Sequence, residues 1–416
     1  MQDPRERRLR GRSPHWFRRA SLGALATLAL LAAGTAHAAP PKPPELSARQ
    51  WILLDTEDRG RLLGHEVNTS NAMASTTKLM TAYLALHRLP LGKLLTAPPY
   101  HPIAGESLLG LQAGERISVH DLLYGLLLPS GNDAAVTLAD GVAGSEQAFV
   151  AEMNREAHRL GLDDTSYANP IGLDAPTNYT SPMDLAKLTL ALRNDGLFRK
   201  IVDTPQITLE TGDHPRTITN RNTLLLMHSW INGVKTGYTP EAGNVLVATG
   251  TQKGVTLLSV VMGEPTEASR DSDSLALLNY GFSLYRRIDA VQRGERVGSA
   301  DVPNADARIP LVADQTVEAT VRNTQSVDVA LHTPTAIEAP IHRGQRIGTA
   351  TVTVDGEPIG HVAAVAARPL EPSGSSLVAS VDDAIPGPRI VVWLLLIAAA
   401  AFVILIAAAV LGRRQG

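Results

Sequence analysis

The chain contains no cysteine among its 416 residues, which removes disulfide frameworks, thiolate catalysis and cysteine-ligated zinc together. Its stability must come from packing. Nor is there an excess of positive charge: 38 Lys and Arg stand against 41 Asp and Glu, a formal net charge of -3, so the basic surface that nucleic acid requires is missing and no nucleic-acid partner is expected. No internal repeat is long enough to suggest a solenoid. The pattern His-Glu-x-x-His does not occur, and His65-Glu66 has no second histidine at helical spacing, so a metal hydrolase is set aside and neither a metal nor another cofactor is expected.

What is present begins with two apolar segments at the ends. Arginines crowd residues 5 to 19, Leu22 to Ala33 is a short apolar run, and Ala36-His37-Ala38 has the small-x-small form of a cleavage site. Residues 1–38 therefore read as a signal peptide, with Arg18-Arg19 leaving the general and twin-arginine export routes both open. At the other end, Ile390 to Leu411 is apolar without interruption and is followed by Arg413 and Arg414. About 20 such residues cross a bilayer. A transmembrane anchor is expected over 389–412, with 413–416 as a cytoplasmic tail and the body of the protein outside the cell membrane.

Between these ends, 39–47 is a Pro-rich linker and "QWILLDTEDRGRLLGHEV" reads as a hairpin turning at Asp58-Arg59-Gly60. Helical periods follow over Ser75 to His87, Val119 to Leu128, Ala134 to Val142, Glu146 to Leu160 and Ser181 to Arg193. Beyond Asn232 the pattern changes to the strands "GVKTGYT", "NVLVATGTQ" and "VTLLSVVMG", and then to a helix over 271–287. Strands, many helices, strands, helix imply one mixed α/β domain over 48–287, in which the first hairpin and the late strands share an antiparallel sheet covered by helices. Short runs between Gly and Pro turns over 288–370 read as a small all-β module, and 371–388 as a polar tether.

Three short stretches carry chemistry. In "MASTTKLMTAYLAL", Ser75 and Lys78 are three apart on one helical face; a desolvated Lys78, with Lys235 as a second cation, would take the proton of a nucleophilic Ser75. Roughly one Ser-x-x-Lys is expected by chance in a chain of this length, and Ser75 also suits a helix N-cap. "LLPSGNDAA" holds Ser130 and Asn132 in a loop forced by Pro129 and Gly131, and "INGVKTGYT" puts Lys235-Thr236-Gly237 on a strand where Gly237 leaves room for a ligand backbone. Singly these fit an interhelical turn and a strand edge.

In order, Ser-x-x-Lys, Ser-x-Asn and Lys-Thr-Gly are the signature of penicillin-binding proteins and serine β-lactamases. With "ERISVHDLLYGLLLPSGNDAAVTLAD" and "NPIGLDAPTNYTSPMDLAKL" around them, residues 45 to 287 resemble the low-molecular-mass D-alanyl-D-alanine carboxypeptidases of peptidoglycan metabolism. "IEAPIHRGQRIGTATVTVDGEPIG" is similar, more weakly, to the β domain that follows in many of them.

The resemblance implies a penicillin-binding-protein/β-lactamase-like domain, a small all-β domain and an acyl-enzyme mechanism. Ser75 would be the nucleophile, Lys78 its base, and Ser130 with Lys235 the route of a proton to the leaving D-alanine. Asn132 would hold the substrate amide, the amides of Ser75 and Tyr238 the oxyanion, and Thr236 and Arg221 the terminal carboxylate; Arg270 is a weaker candidate that also reads as a capping or solvated arginine. The implied partners are a peptidoglycan stem peptide ending in D-Ala-D-Ala and β-lactam antibiotics. Asn232 stands where the family often has aspartate. A β-lactamase would need a deacylating glutamate in a Glu-x-x-Leu-Asn segment, which is missing; Glu146, Glu152 and Glu156 lie on a helix without it. A non-catalytic penicillin receptor is the other alternative, and D-alanine release separates it from the enzyme.

Overall fold

The computed structural model describes residues 41–373 together with Leu396. The expected signal peptide, transmembrane anchor and tail lie outside the described residues, Leu396 apart. Among the described residues no helix is long and apolar enough to cross a membrane.

Five antiparallel strands form the central sheet, in the spatial order Arg61–His65, Gln50–Asp55, Val255–Glu264, Gly243–Gln252, Ile231–Thr239. The first hairpin thus lies beside strands some 200 residues later, as the element order requires. Its turn closes because Asp58 Oδ1 accepts from the Gly60 amide at 2.6 Å while Arg59 takes a left-handed conformation (φ 57°). Strand periodicity then divides the core: Ile52 and Leu54 join one apolar cluster, and Leu53 between them joins the other.

On the first face lie the helices Lys78–Arg88, Val119–Leu127, Asn132–Ala143, Glu146–Arg159 and Pro182–Leu192. Ser118, Ser145 and Ser181 cap three of them by accepting from amides in the first turn. Lys78–Arg88 is the central one. Every residue from Lys78 to Ala85 is buried, the condition of a helix enclosed by its neighbours, and truncating one of its leucines to alanine is worth about 2–5 kcal/mol.

The second face is covered by Thr223–Met227 and Glu267–Ser283. The helix expected over 271–287 starts earlier because Thr266 and Ser269 form a reciprocal capping box, and it stops at Ser283. Residues from Tyr285 instead form the strand Tyr285–Val291, paired with Val317–Arg322. Two short features had no periodic signal in the sequence: the helix Gly196–Val202, capped by Asp195, and the hairpin Gln206–Leu209 with Arg216–Thr219.

The all-β module is a five-stranded sheet, ordered Arg296–Val302, Ala307–Ala313, Glu357–Ala366, Arg346–Val354, Val327–His332, with the two-stranded pair beside it. It meets the α/β domain where Arg322 pairs with Asp58 at 2.6 Å and Thr320 Oγ1 donates to the Lys253 carbonyl at 2.8 Å.

At the end of Val255–Glu264 the buried Glu264 carboxyl faces Asp273, and Ser47 Oγ lies 3.0 Å from Glu264 and 3.1 Å from Asp273. Burial, and then the Asp273 carboxylate, push Glu264 up to about 7. Between the unfolded carboxyl range, about 4.3, and about 7, the folded chain retains a proton that the unfolded chain has lost, so this contribution to stability declines as pH rises through that window. Glu264→Gln is uncharged and still donates; its gain in melting temperature over the wild type is expected to be larger at pH 8 than at pH 5. Equal gains in melts at the two pH values would contradict this account.

Candidate active site

Ser75 does not cap the helix. It sits in a 3₁₀ turn, Ala74–Thr77, that leads into Lys78–Arg88, and the N-terminal side chain makes no capping bond. Its hydroxyl instead accepts from Lys78 Nζ at 3.0 Å, and the same nitrogen donates to the Ile171 carbonyl at 2.5 Å. Ala74, just before Ser75, is left-handed (φ 49°), a conformation that non-glycine residues adopt at a cost of about 1–3 kcal/mol and keep mainly at functional sites.

The segment 169–173 supports this turn from behind. Asn169 Oδ1 accepts from the amides of Ile171, Gly172 and Leu173, with Gly172 closest at 2.7 Å, and Thr81 Oγ1 donates to the Pro170 carbonyl at 2.7 Å. Gly172 (φ 93°) presses on the turn: a methyl there would sit 2.0 Å from the Ala74 carbonyl oxygen and 3.0 Å from the Ser75 nitrogen. Only glycine fits.

Ser130 occupies the loop between Val119–Leu127 and Asn132–Ala143, also left-handed (φ 68°), and its buried hydroxyl has no hydrogen-bond partner among the described residues. Asn132, buried at the start of its helix, donates Nδ2 to Glu106 Oε2 at 2.7 Å. Asp133 accepts from the amides of Leu109, Gly110 and Leu111 at 2.7–2.9 Å, and the Asn132 amide donates to the Ser107 carbonyl at 2.8 Å. The loop 105–111 is thereby fastened to the Ser-x-Asn turn.

Lys235, Thr236 and Gly237 lie on Ile231–Thr239, the edge strand of the sheet. Lys235 is buried and donates to the Thr236 carbonyl at 2.9 Å, whereas Tyr238 is exposed. A methyl on Gly237 would lie 3.1 Å from the Ser75 nitrogen, so the strand packs closely against Ser75. Arg221 is exposed at the rim and donates to Ser107 Oγ; its neighbours Asn220 and Asn222 are buried and fasten it to the frame, Asn222 Nδ2 donating to the Gly233 carbonyl at 2.9 Å. Arg270 is neither solvated nor a cap: it is buried beside Asp271, 2.8 Å away, and lines the cleft. Asn232 turns into the sheet, donating to Thr251 Oγ1 at 2.7 Å.

Ser75, Ser130, Thr236, Gly237, Tyr238, Arg221 and Arg270 line one cleft of about 330 Å³. Lys78, Asn132 and Lys235 are buried around it. Burial is the main cause that lowers Lys78 to about 7; Arg221 lowers it further, while Glu106 and Asp133 oppose this. Arg221 is a second cation acting on Lys78 beside the Lys235 that the sequence suggested, since repulsion between the two buried lysines is mutual. Lys235 is held well below its ordinary value by burial first, then by Lys78, Arg221 and Arg270. An amine near 7 is deprotonated in a large fraction of molecules at neutral pH, and the arrangement can therefore remove a proton from Ser75.

Glu106, Asp133, Gly172 and the Ile171 carbonyl escaped the sequence reading. A carbonyl has no side-chain signature and Glu106 lies outside every motif; the segment "NPIG" was noticed, but only as a likeness. Gly172→Ala is expected to slow labelling of Ser75 by penicillin at least tenfold and to cost about 1–3 kcal/mol of stability. Labelling kinetics with a parallel thermal melt check both, and unchanged labelling would show that the turn relaxes freely.

Comparison with known proteins agrees with this geometry. A family model described as D-alanyl-D-alanine carboxypeptidase matches residues 36–266, and one for the C-terminal domain of penicillin-binding protein 5 matches residues 285–371. The chain is 32% identical to the D-alanyl-D-alanine carboxypeptidase DacA of Escherichia coli, over 77% of this chain and 82% of that protein, and 29% identical to DacF of Bacillus subtilis, over 79% and 87%. Among solved structures, penicillin binding protein 5 from Haemophilus influenzae aligns with a TM-score of 0.56 at 28% identity, covering 80% of this chain and 99% of that one. The Streptomyces K15 DD-transpeptidase aligns with a TM-score of 0.57 at 32% identity, covering 59% and 100%. With a family model matched over more than half its length, the chain belongs to the D-alanyl-D-alanine carboxypeptidase family.

Proposed function

We propose that this chain is a serine D-Ala-D-Ala carboxypeptidase that removes the terminal D-alanine from peptidoglycan stem pentapeptides and is acylated by β-lactams at the same serine. The observation that carries this reading is the 3.0 Å bond between Ser75 Oγ and the buried Lys78 amine, whose pKa is lowered to about 7. In the reaction Ser75 Oγ attacks the carbonyl carbon between the two D-alanines as its proton passes to neutral Lys78. The C–N bond then breaks, the leaving amine receives a proton through Ser130 and Lys235, and water hydrolyses the ester to release the shortened peptide.

Substrate binding follows from the same groups. The edge strand Ile231–Thr239 has a free side, along which an extended peptide adds main-chain hydrogen bonds. Asn132 holds the substrate amide, the amides of Ser75 and Tyr238 receive the oxyanion, and Thr236 and Arg221 hold the terminal carboxylate. Gly237 keeps the strand bare enough for the peptide backbone to reach Ser75. The two arginines that line the cleft, Arg221 and Arg270, make it attractive to an anionic C-terminus.

Membrane attachment belongs to the same reading. The apolar segment 390–411 is long enough to cross a bilayer; with the N-terminal export signal and the Arg413-Arg414 tail on the cytoplasmic side, it would hold the catalytic domain outside the cell membrane. The full chain is expected to fractionate with membranes, and the chain ended at residue 388 to be released. Retention of the shortened chain would argue against this anchor.

For the catalytic reading, the full-length protein in detergent is given diacetyl-Lys-D-Ala-D-Ala beside a Ser75→Ala variant. Release of D-alanine by the wild type alone, blocked by penicillin, is expected, with kcat/KM rising with pH through about 7 as Lys78 loses its proton. Labelling by penicillin without D-alanine release would overturn the carboxypeptidase and favour a receptor; rapid hydrolysis of penicillin would favour a lactamase.

A further inference from the structure

One carboxylate beside the reacting groups enters none of these steps. Glu106 Oε2 accepts from Asn132 Nδ2 at 2.7 Å and from the Tyr100 hydroxyl, and Oε1 accepts from the Ile103 amide at 3.0 Å. Burial alone would push its carboxyl up, but the Asn132, Tyr100 and Ile103 bonds and the charge of Lys78 together hold it below the usual range. Glu106 is therefore ionised at neutral pH.

Two consequences follow from an ionised group at this place. An ionised carboxylate only accepts hydrogen bonds, so the end of the Asn132 amide that faces it must be Nδ2, which leaves Oδ1 to accept the N–H of a bound peptide. A carboxamide without such a neighbour can turn either end to the substrate. The charge of Glu106 also acts on Lys78. The charged groups around that lysine are Glu106 and Asp133 on one side of the balance and Arg221 and Lys235 on the other, and Glu106 is the largest of those that favour the protonated amine.

Resting on the carboxypeptidase reading above, we infer that Glu106 is a positioning residue for acylation, fixing the orientation of the Asn132 amide and supplying a negative field at Lys78. Its place supports this. The loop that carries it contributes Gly105 and Ser107 to the cleft lining and is fastened to the Ser-x-Asn turn by Asp133. A residue that only anchored the loop would be redundant with those three bonds.

The test uses the full-length protein in detergent with Glu106→Gln and Glu106→Ala. The readouts are the pH profile of penicillin acylation, kcat/KM on diacetyl-Lys-D-Ala-D-Ala, and a thermal melt. Glutamine still accepts from Asn132 but carries no charge, so the limb at which acylation rises with pH is expected to move to lower pH by about half a unit or more, with a plateau near that of the wild type. Alanine is expected to lower the plateau and the peptide kcat/KM about tenfold, because the amide loses its charged anchor.

A purely structural role would lower rates and melting temperature without moving the limb. An unmoved limb in Glu106→Gln overturns the assignment, and so does a wild-type plateau in Glu106→Ala. Acylation by penicillin does not require peptide turnover. A wild type that is labelled yet releases no D-alanine would overturn the carboxypeptidase reading while the limb still decides the role of Glu106.

Discussion

The structure of the site depends on one constraint, the complete burial of the Lys78 amine against Ser75. A buried ammonium without compensation is costly, and such a group meets that cost by losing its proton. Two features of the fold bring this about. The helix Lys78–Arg88 is enclosed on every side through its first eight residues, so the side chain has no route to water. Arg221 adds a repelling charge. The Ile171 carbonyl and the Ser75 hydroxyl accept from the amine and fix its position. Packing far from the cleft therefore sets the chemistry inside it: loosening the helical layer would rehydrate Lys78 and return it toward the ordinary lysine range, where it cannot accept a proton.

Much of this was legible in the sequence, for a physical reason. Ser75 and Lys78, Ser130 and Asn132, and Lys235 to Gly237 each sit close together in the chain and use side chains, so spacing and residue type carry the information. The strands were legible too, as short apolar runs between turn signals, whereas the division of Leu53 from Ile52 and Leu54, and of Leu246 from Val245 and Val247, between the two faces appears only in the structure. What was not legible acts over long separations or through the backbone. Glu106 is 26 residues from Asn132, Ile171 is 93 from Lys78 and contributes only a carbonyl, and the meaning of Gly172 appears only when Ala74 is packed against it. The misplaced helix end near Ser283 has another cause. Tyr285 continues an acceptable helical pattern, but its hydroxyl is claimed by Asp55 and its backbone by the strand Val317–Arg322, and tertiary pairing overrides local propensity.

Strain and close contact are concentrated in the same few residues. Ala74 and Ser130 both hold left-handed conformations, Gly172 approaches the Ala74 carbonyl at a distance that excludes a methyl group, and Gly237 packs tightly against Ala74 and the Ser75 nitrogen. Strained residues of this kind persist only where the surroundings over-determine them. Here the surroundings are the edge strand on one side and the segment 169–173 on the other, with the nucleophile turn clamped between. The cost is borne by the large apolar core, and the return is a serine whose position is fixed before substrate arrives, which is the condition for electrostatic stabilisation of a transition state without reorganisation.

The same logic accounts for the arrangement of charge. Cations alone would attract the substrate carboxylate but would drive Lys78 and Lys235 to deprotonate together, leaving no ammonium to return a proton to the leaving amine. Carboxylates alone would keep both lysines charged and leave no base. The site holds both signs in unequal positions: Arg221 acts on both lysines and Arg270 on Lys235, whereas Glu106 and Asp133 act on Lys78. Two lysines of the same intrinsic basicity are thereby given different environments, and a proton taken by one during attack can be delivered by way of the other as the amide bond breaks. On the proposed mechanism, acid and base are distinguished by placement in the fold, with chemically identical side chains serving both roles.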